Sequence, residues 1–276
     1  FLCSASSTFV KTAQPFIIFY ESGSIRGYVS TDVLNLTGLI YPKQGMGVAN
    51  AVVDVFELSP ADGIIGLGWP PLAEDGIVTP MQNQLDQLGL PLFTIWMDRH
   101  VKPQRRNLGG LITYGGYDTN NCESEMAFVP LSSQTYWQFT MDGFAFGDYV
   151  LNKRRVTRSF SRPCRIGAPA AVVSAIVKAI GAKYDCSNQM FTVPCTGAYP
   201  DMVFTIGGKA YSVPSTEYVN DIDLPNGKCV LTIFEMQSGG FGSDFILGDT
   251  WSRSFCNIYD IGNSRIGFAK ARHTEI

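Results

Sequence analysis

Histidine, closely spaced cysteine pairs and long apolar runs are all scarce in this chain, and each scarcity excludes something. The only histidines are His100 and His273, and no two cysteines are spaced as Cys-x-x-Cys. A zinc site is therefore not expected. A Ser/His/Asp triad would have to use His100, in a basic loop, or His273, near the end, and both are expected to be solvated. No apolar run reaches the length of a membrane span. The longest candidate, Ile166 to Val177, contains Pro169 and stops at Lys178. There is no Gly-x-Ser-x-Gly, no P-loop and no Gly-x-Gly-x-x-Gly, which removes the usual hydrolase elbow and nucleotide cradles. Charged residues make up 16% of the chain and the formal net charge is −3, so no electrostatic footprint for nucleic acid exists. No signal peptide is visible. The opening Phe1-Leu2-Cys3 reads as mid-domain sequence, as expected of a fragment or processed product.

What is present points to β structure. With 276 residues, 45% of them hydrophobic, the chain can bury a large core as one β-rich domain or two lobes. Its 28 glycines and 15 prolines punctuate short strands. Strands are expected at Phe16 to Tyr20, Ile25 to Leu36, Val48 to Leu58, Phe93 to Met97 and Leu111 to Tyr114. Turns are expected at Tyr41-Pro42, at Ser59 to Gly63 and at Gly115-Gly116. Two helices are expected, one over Pro80 to Leu88 ending at Gly89, the other from Pro169 toward Gly181. Residues 61–69 echo residues 243–251, with Asp, Ile, Gly and Trp coinciding at an offset of 182. Two buried β-formers followed by Gly describe a central strand passing under another backbone, and its repetition suggests two related lobes.

Seven cysteines, an odd number, fit a few disulfides plus a free thiol in an extracytoplasmic protein. The sequon Asn35-Leu36-Thr37 is compatible with that setting. One stretch departs from its surroundings: residues 153–165 hold 6 of the 21 basic residues.

The segment Phe19-Tyr20-Glu21-Ser22-Gly23-Ser24-Ile25-Arg26-Gly27 resembles the flap hairpin of the pepsin-like aspartic proteases (peptidase A1). Tyr20 matches the flap tyrosine and Ser22, Gly23 and Ser24 the turn, while Glu21 replaces the glycine usual there. A lid needs a hairpin of small residues, and an aromatic hydroxyl can both pack on substrate and hydrogen-bond to it. Further motifs follow in the family's order: Ser6-Ser7-Thr8-Phe9, Asp62 to Gly68, Leu108-Gly109-Gly110, Tyr114 to Asp118, Tyr136-Trp137-Gln138-Phe139, Pro200 to Gly208, Phe245 to Asp249 and Ile258 to Ala269. The resemblance runs from about Phe1 to Ala269, interrupted near 150–165.

The resemblance implies an all-β, bilobal pepsin-like acid protease fold, with lobes at 1–131 and 132–276 and the first lobe incomplete. It implies an extended peptide or protein substrate, no cofactor or metal, no nucleic acid or membrane partner, and an extracellular or lysosomal/endosomal location. Tyr20, Glu21, Ser22 and Gly23 are the expected substrate-binding residues. Cys195 and Cys229 match the family's second-lobe disulfide; the pairing of Cys3, Cys122, Cys164, Cys186 and Cys256 stays open. Ile64-Ile65-Gly66 and Ile246-Leu247-Gly248 would support the two catalytic aspartates. In that family one carboxyl stays protonated as acid while its partner, as base, activates water.

The aspartates themselves are absent. No Asp begins an Asp-Thr-Gly or Asp-Ser-Gly; Asp118-Thr119-Asn120 and Asp249-Thr250-Trp251 lack the glycine. The first tripeptide belongs upstream of Ser6, so the chain is read as truncated. The second should precede Ile166-Gly167-Ala168-Pro169, where an ungapped match places Phe160-Ser161-Arg162-Pro163-Cys164. Asp32, Asp62, Asp201, Asp249 and Asp260 match ordinary turn or surface positions, and Glu21 rides on the lid. No catalytic residue is assigned. The expected function is that of an aspartic endopeptidase family member inactive as written, with a non-catalytic peptide-binding homologue as the alternative. Because a strand under the catalytic floor should be apolar, residues 153–165 are read as translated non-exonic or frame-shifted sequence.

Overall fold

The computed structural model describes residues 3–20, 23–52, 61–99, 109–159, 165–236 and 242–273. Contacts divide the chain into two compact units, Phe1–Gly89 and Leu90–Ile276. The lobes expected at 1–131 and 132–276 are a division by family resemblance. By contacts, residues 90–131 group with the second unit.

In the first unit β1 (Val10–Tyr20), β2 (Gly23–Leu36) and β3 (Leu39–Val52) form an antiparallel sheet in that order. Phe16 is buried on it because Gly27 and Gly47 leave room: a Cβ on Gly47 would lie 2.6 Å from the Phe16 ring. The carboxylate of buried Asp32 accepts the Thr8 hydroxyl and the backbone N–H of Val33. The Thr8 and Ser6 hydroxyls hold that carboxyl below its usual range, which gives the Ser6–Phe9 motif a structural reason. The helix expected over Pro80 to Leu88 forms as α1 (Pro80–Asn83) followed by a 3-10 turn, Leu85–Gln87.

Two expectations fail in this unit. Tyr41-Pro42 is not a turn but lies inside β3. That strand pairs only with β2 among the described residues, and an edge tolerates proline's missing N–H. The register slips between Asp32 and Leu34, so Pro42 and Lys43 oppose the single residue Val33, as in a β-bulge. The reversal falls instead at Thr37-Gly38, both at positive φ. The segment around Ile64-Ile65-Gly66 is not a buried strand either: Ile64 is 48% and Ile65 53% exposed. No described strand pairs with it, and without a ladder two apolar residues have nothing to bury them.

The second unit continues with β4 (Leu92–Met97), β5 (Gly110–Tyr114), β6 (Cys122–Gln134), β7 (Trp137–Met141), β8 (Gly143–Phe146), β9 (Tyr149–Leu151), β10 (Arg155–Ser159) and β11 (Ile166–Pro169). After α2 (Ala170–Ile180) come β12 (Lys183–Asp185), β13 (Met190–Pro194), β14 (Met202–Ile206) and β15 (Lys209–Val213). Helix α3 (Ser215–Tyr218) precedes β16 (Val219–Asn220), β17 (Lys228–Leu231), β18 (Ile233–Met236) and β19 (Phe245–Leu247). Helix α4 (Asp249–Ser252), β20 (Phe255–Asp260) and β21 (Arg265–Ala271) close the described chain. A ten-stranded sheet runs β18-β11-β19-β10-β7-β6-β21-β20-β4-β5, beside four-stranded sheets β12-β13-β17-β16 and β15-β14-β8-β9. Helix α2 starts after Pro169 and stops at Gly181, whose φ of 65° is the left-handed cap that glycine supplies without strain.

The core of this unit is aromatic. Trp251, fully buried, meets Phe204, Tyr211, Phe255 and Phe268 with ring centroids 4.6–5.6 Å apart. Two disulfides fasten it. Cys195–Cys229 is the pair the resemblance implies, and Cys122–Cys256 was left open by the sequence. Among the described residues Cys3 and Cys186 are unbonded; Cys164 lies outside them.

Glu217 on α3 is wholly buried and bonded to the Nε atoms of Arg99 and Arg253, the latter at 2.9 Å. Arg253 also donates to the Glu217 backbone carbonyl. Replacing Glu217 with Ala removes one side of a buried ion pair. That typically costs 3–5 kcal/mol, and the partial exposure of Arg99 (38%) and Arg253 (17%) argues for the lower end. Urea unfolding should show a loss of about 3 kcal/mol, and Glu217→Gln, which keeps hydrogen bonds to the guanidinium groups, should lose less. His273 is not solvated as expected. Its side chain is only 10% exposed, Nε2 lies 2.5 Å from the Arg253 carbonyl, and its ring faces Trp96. His100 lies outside the described residues.

Candidate functional site

The floor of the second unit is built from three strands out of chain order. β10 pairs in parallel with β19, and β11 pairs antiparallel with β19 on its other side. The chain leaving β10 must therefore pass β19 to reach β11. Ser159 stands opposite Leu247, and Gly167 opposite Ile246. Phe245, Ile246 and Leu247 are buried, as the apolar-apolar-Gly pattern requires. The connecting residues 160–164, where the family's second aspartate would fall, lie outside the described residues.

β10 shows how a basic stretch enters a sheet. Side chains alternate, so Arg155, Thr157 and Ser159 share one face, on which Thr157 and Ser159 are buried, while Val156 and Arg158 lie on the other; Arg155, Val156 and Arg158 are partly exposed. Arg155 sits 3.5 Å from the Asp244 carboxylate, and the Arg158 guanidinium lies 4.6 Å from the Tyr136 ring centroid. The expectation that a strand here must be apolar is corrected: small hydroxyl residues fill the buried positions, and the partly exposed arginines are met by a carboxylate and an aromatic ring.

Beneath β10 lies a polar network that the sequence reading missed. The Ser159 hydroxyl donates to Asn257 Oδ1 at 3.2 Å and shares a 3.0 Å hydrogen bond with Tyr259. The Trp251 indole donates to the same Asn257 oxygen at 3.0 Å, and the Asn257 amide donates to the Ser252 hydroxyl and the Phe255 carbonyl. Burial pushes the Tyr259 phenol up to about 12, with the Ser159 hydrogen bond acting against the shift and Asp249 adding to it. The network is thus neutral across ordinary pH. The available signal was Asn257, a polar residue inside the apolar run Phe255 to Ile258.

In the first unit, β1 and β2 stay in register up to Tyr20 opposite Gly23. Two residues, Glu21 and Ser22, join them and lie outside the described residues, as do the side chains of Tyr20 and Gly23. The strands thus form a hairpin where the resemblance expects the flap. Asp260, taken as a turn residue, accepts from Asn263 and from Arg265 Nε at 2.6 Å across the β20–β21 turn. Asp32 and Asp260 are buried rather than on the surface.

An all-β chain whose ten-stranded sheet places an apolar-apolar-Gly strand between two consecutive strands belongs to the class of acid-protease folds. Comparison with known sequences agrees. The family profile described as "Eukaryotic aspartyl protease" matches residues 1–271. The chain is 50% identical over 272 residues to Aspartic protease 1 of Caenorhabditis elegans, covering 97% of this chain and 69% of that protein. It is 45% identical to Aspartic protease 17 (98% and 70% covered) and 38% identical to Aspartic protease 6 (96% and 69%), both of the same organism. The chain belongs to the eukaryotic aspartyl protease family.

Proposed function

We propose that this chain is an aspartic endopeptidase family member that, with the residues it has, engages extended polypeptide without hydrolysing it. Its lobes are those at 1–131 and 132–276. Family membership implies peptide or protein substrates. One observation carries the loss of chemistry: β10 leads into Phe160-Ser161-Arg162-Pro163-Cys164, and no carboxylate occurs from Leu151 to Arg165. The hairpin that ends at Tyr20 and Gly23 supports retained binding, with Tyr20, Glu21, Ser22 and Gly23 as the contacting residues. Two disulfides favour an oxidising location, extracellular or in the lysosomal/endosomal lumen. Among the described residues no helix is long and apolar enough to cross a membrane.

Calorimetric titration with a peptide carrying a central hydroxyl in place of the scissile carbonyl tests the binding half. Saturable binding that Tyr20→Ala weakens at least tenfold is expected. Unchanged affinity in that variant, or no heat of binding at all, would overturn it.

A further inference from the structure

We infer that Asn35 is an attachment site for an asparagine-linked glycan, and that the first sugar rests on Ile40. The inference rests on the extracytoplasmic location proposed above. Asn35-Leu36-Thr37 is the one Asn-x-Ser/Thr triplet in the sequence, and it occupies the end of the β2–β3 hairpin. Asn35 and Thr37 are exposed while Leu36 is buried, so the acceptor side chain faces solvent. Asn35 Oδ1 accepts the Gly38 N–H at 2.8 Å. This fixes the side chain through its oxygen, not its amide nitrogen.

The turn supplies an independent reason. β2 and β3 are joined by Thr37 and Gly38, at φ 51° and 103°. A two-residue hairpin loop with both residues at positive φ favours Asn-Gly or Asp-Gly. A β-branched residue in the left-handed region is strained. The turn therefore keeps a residue its backbone disfavours, and such a departure from local preference points to another use for the side chain. The hydroxyl that completes the sequon is that use. Ile40 is the direct cross-strand partner of Asn35 and is 51% exposed. Partners in register share a face, so the apolar face of an N-acetylglucosamine on Asn35 would cover it.

The chemistry is a group transfer from an oligosaccharide carried on a lipid pyrophosphate. The Asn35 amide nitrogen forms a bond to the sugar C1 and gives up one proton. The bond from C1 to the pyrophosphate oxygen breaks, and the lipid pyrophosphate leaves with the electron pair. Nothing is oxidised or reduced.

The test is expression of the whole chain in insect cells behind a cleavable secretion leader, followed by intact-mass measurement. One glycan is expected. Enzymatic release in heavy-oxygen water should leave the label at position 35. Thr37→Ser should keep the glycan, whereas Asn35→Gln and Thr37→Asn should lose it. Thr37→Asn should also raise the melting temperature of glycan-free material, because Asn-Gly suits the turn. A fall in that temperature would overturn the argument from strain. A secreted chain with Cys195–Cys229 formed and Asn35 bare would overturn the inference and leave the location standing. Native chain recovered from cytosol with reduced cysteines would overturn the location, and this inference with it.

Discussion

Incubated with acid-unfolded globin at any pH from 2 to 7, this chain is expected to release no peptides above the uncatalysed background. Positioned acid–base groups each contribute roughly 10²–10⁴-fold to a rate, and groups that act as a unit lose most of their joint effect when either is removed. The family's chemistry needs two carboxyl groups sharing one proton, and residues 151–165, where the second would fall, contain no carboxylate. Substitutes are poorly placed. Asp32 is committed to Thr8 and Val33, and Asp260 to Asn263 and Arg265. Ser159 lies near the crossing, but its hydroxyl is tied to Asn257 and Tyr259, and among the described residues no imidazole is bonded to it. Turnover that a central-hydroxyl analogue abolishes would refute this expectation. Sequencing the transcript addresses the related question of residues 153–165. A message that encodes Asp-Thr-Gly before Ile166 would support reading that stretch as non-exonic or frame-shifted, and would supply one of the two carboxyl groups; a message that encodes residues 153–165 as they stand would refute it.

Replacing Cys122 and Cys256 together with alanine should lower the unfolding free energy by about 5 kcal/mol in the chain-entropy account. The bridge spans 134 positions against 34 for Cys195–Cys229, and the shorter loop gives about 4 kcal/mol on the same reckoning. Both sulfurs of the longer bridge are buried with Leu92, Trp96, Ile258 and Ala269, so alanine also loses packing without introducing a polar group. Measured disulfide effects range from about 0 to 5 kcal/mol, while whole domains are stable by about 5–15 kcal/mol. The double variant should therefore approach the edge of folding at body temperature. Urea midpoints under matched oxidising conditions check this; a loss under about 1 kcal/mol would show that the β6–β21–β20 ladder alone holds the loop closed.

Local chemistry made much of the fold readable. Pro169 and Gly181 bracket α2 because one suits a helix start and the other a left-handed stop. The run Phe245 to Leu247 is a buried strand because partners lie on both sides of it. The echoing Ile64-Ile65 is also apolar but has no strand partner among the described residues, which no local pattern reports. Pro42 was misread because proline signals a turn until the strand proves to be an edge. The basic stretch misled for a related reason: composition counts arginines and does not show the Asp244 carboxylate and Tyr136 ring that receive them. Cys122–Cys256 was illegible because spacing does not give connectivity, and His273 because nothing in a terminal sequence announces an indole and a carbonyl waiting for it. At the candidate site the hairpin was legible through its glycines and tyrosine, and the Ser159–Asn257–Tyr259 network was not, since its members lie about a hundred positions apart.

The place of β19 between β10 and β11 sets the order in which the protein can be made. A ribosome delivers β10 and β11 more than 75 positions before Phe245, the first residue of the strand that separates them. Until that residue emerges, two neighbouring edges wait open, with Ile166 and Ala168 exposed to any other strand nearby. Pairings so distant in sequence form slowly and leave sticky intermediates. The nascent chain is thus most at risk between the synthesis of β11 and that of β19, and a helper that shields unpaired edges would matter more here than to a protein whose sheets close in the order they are translated.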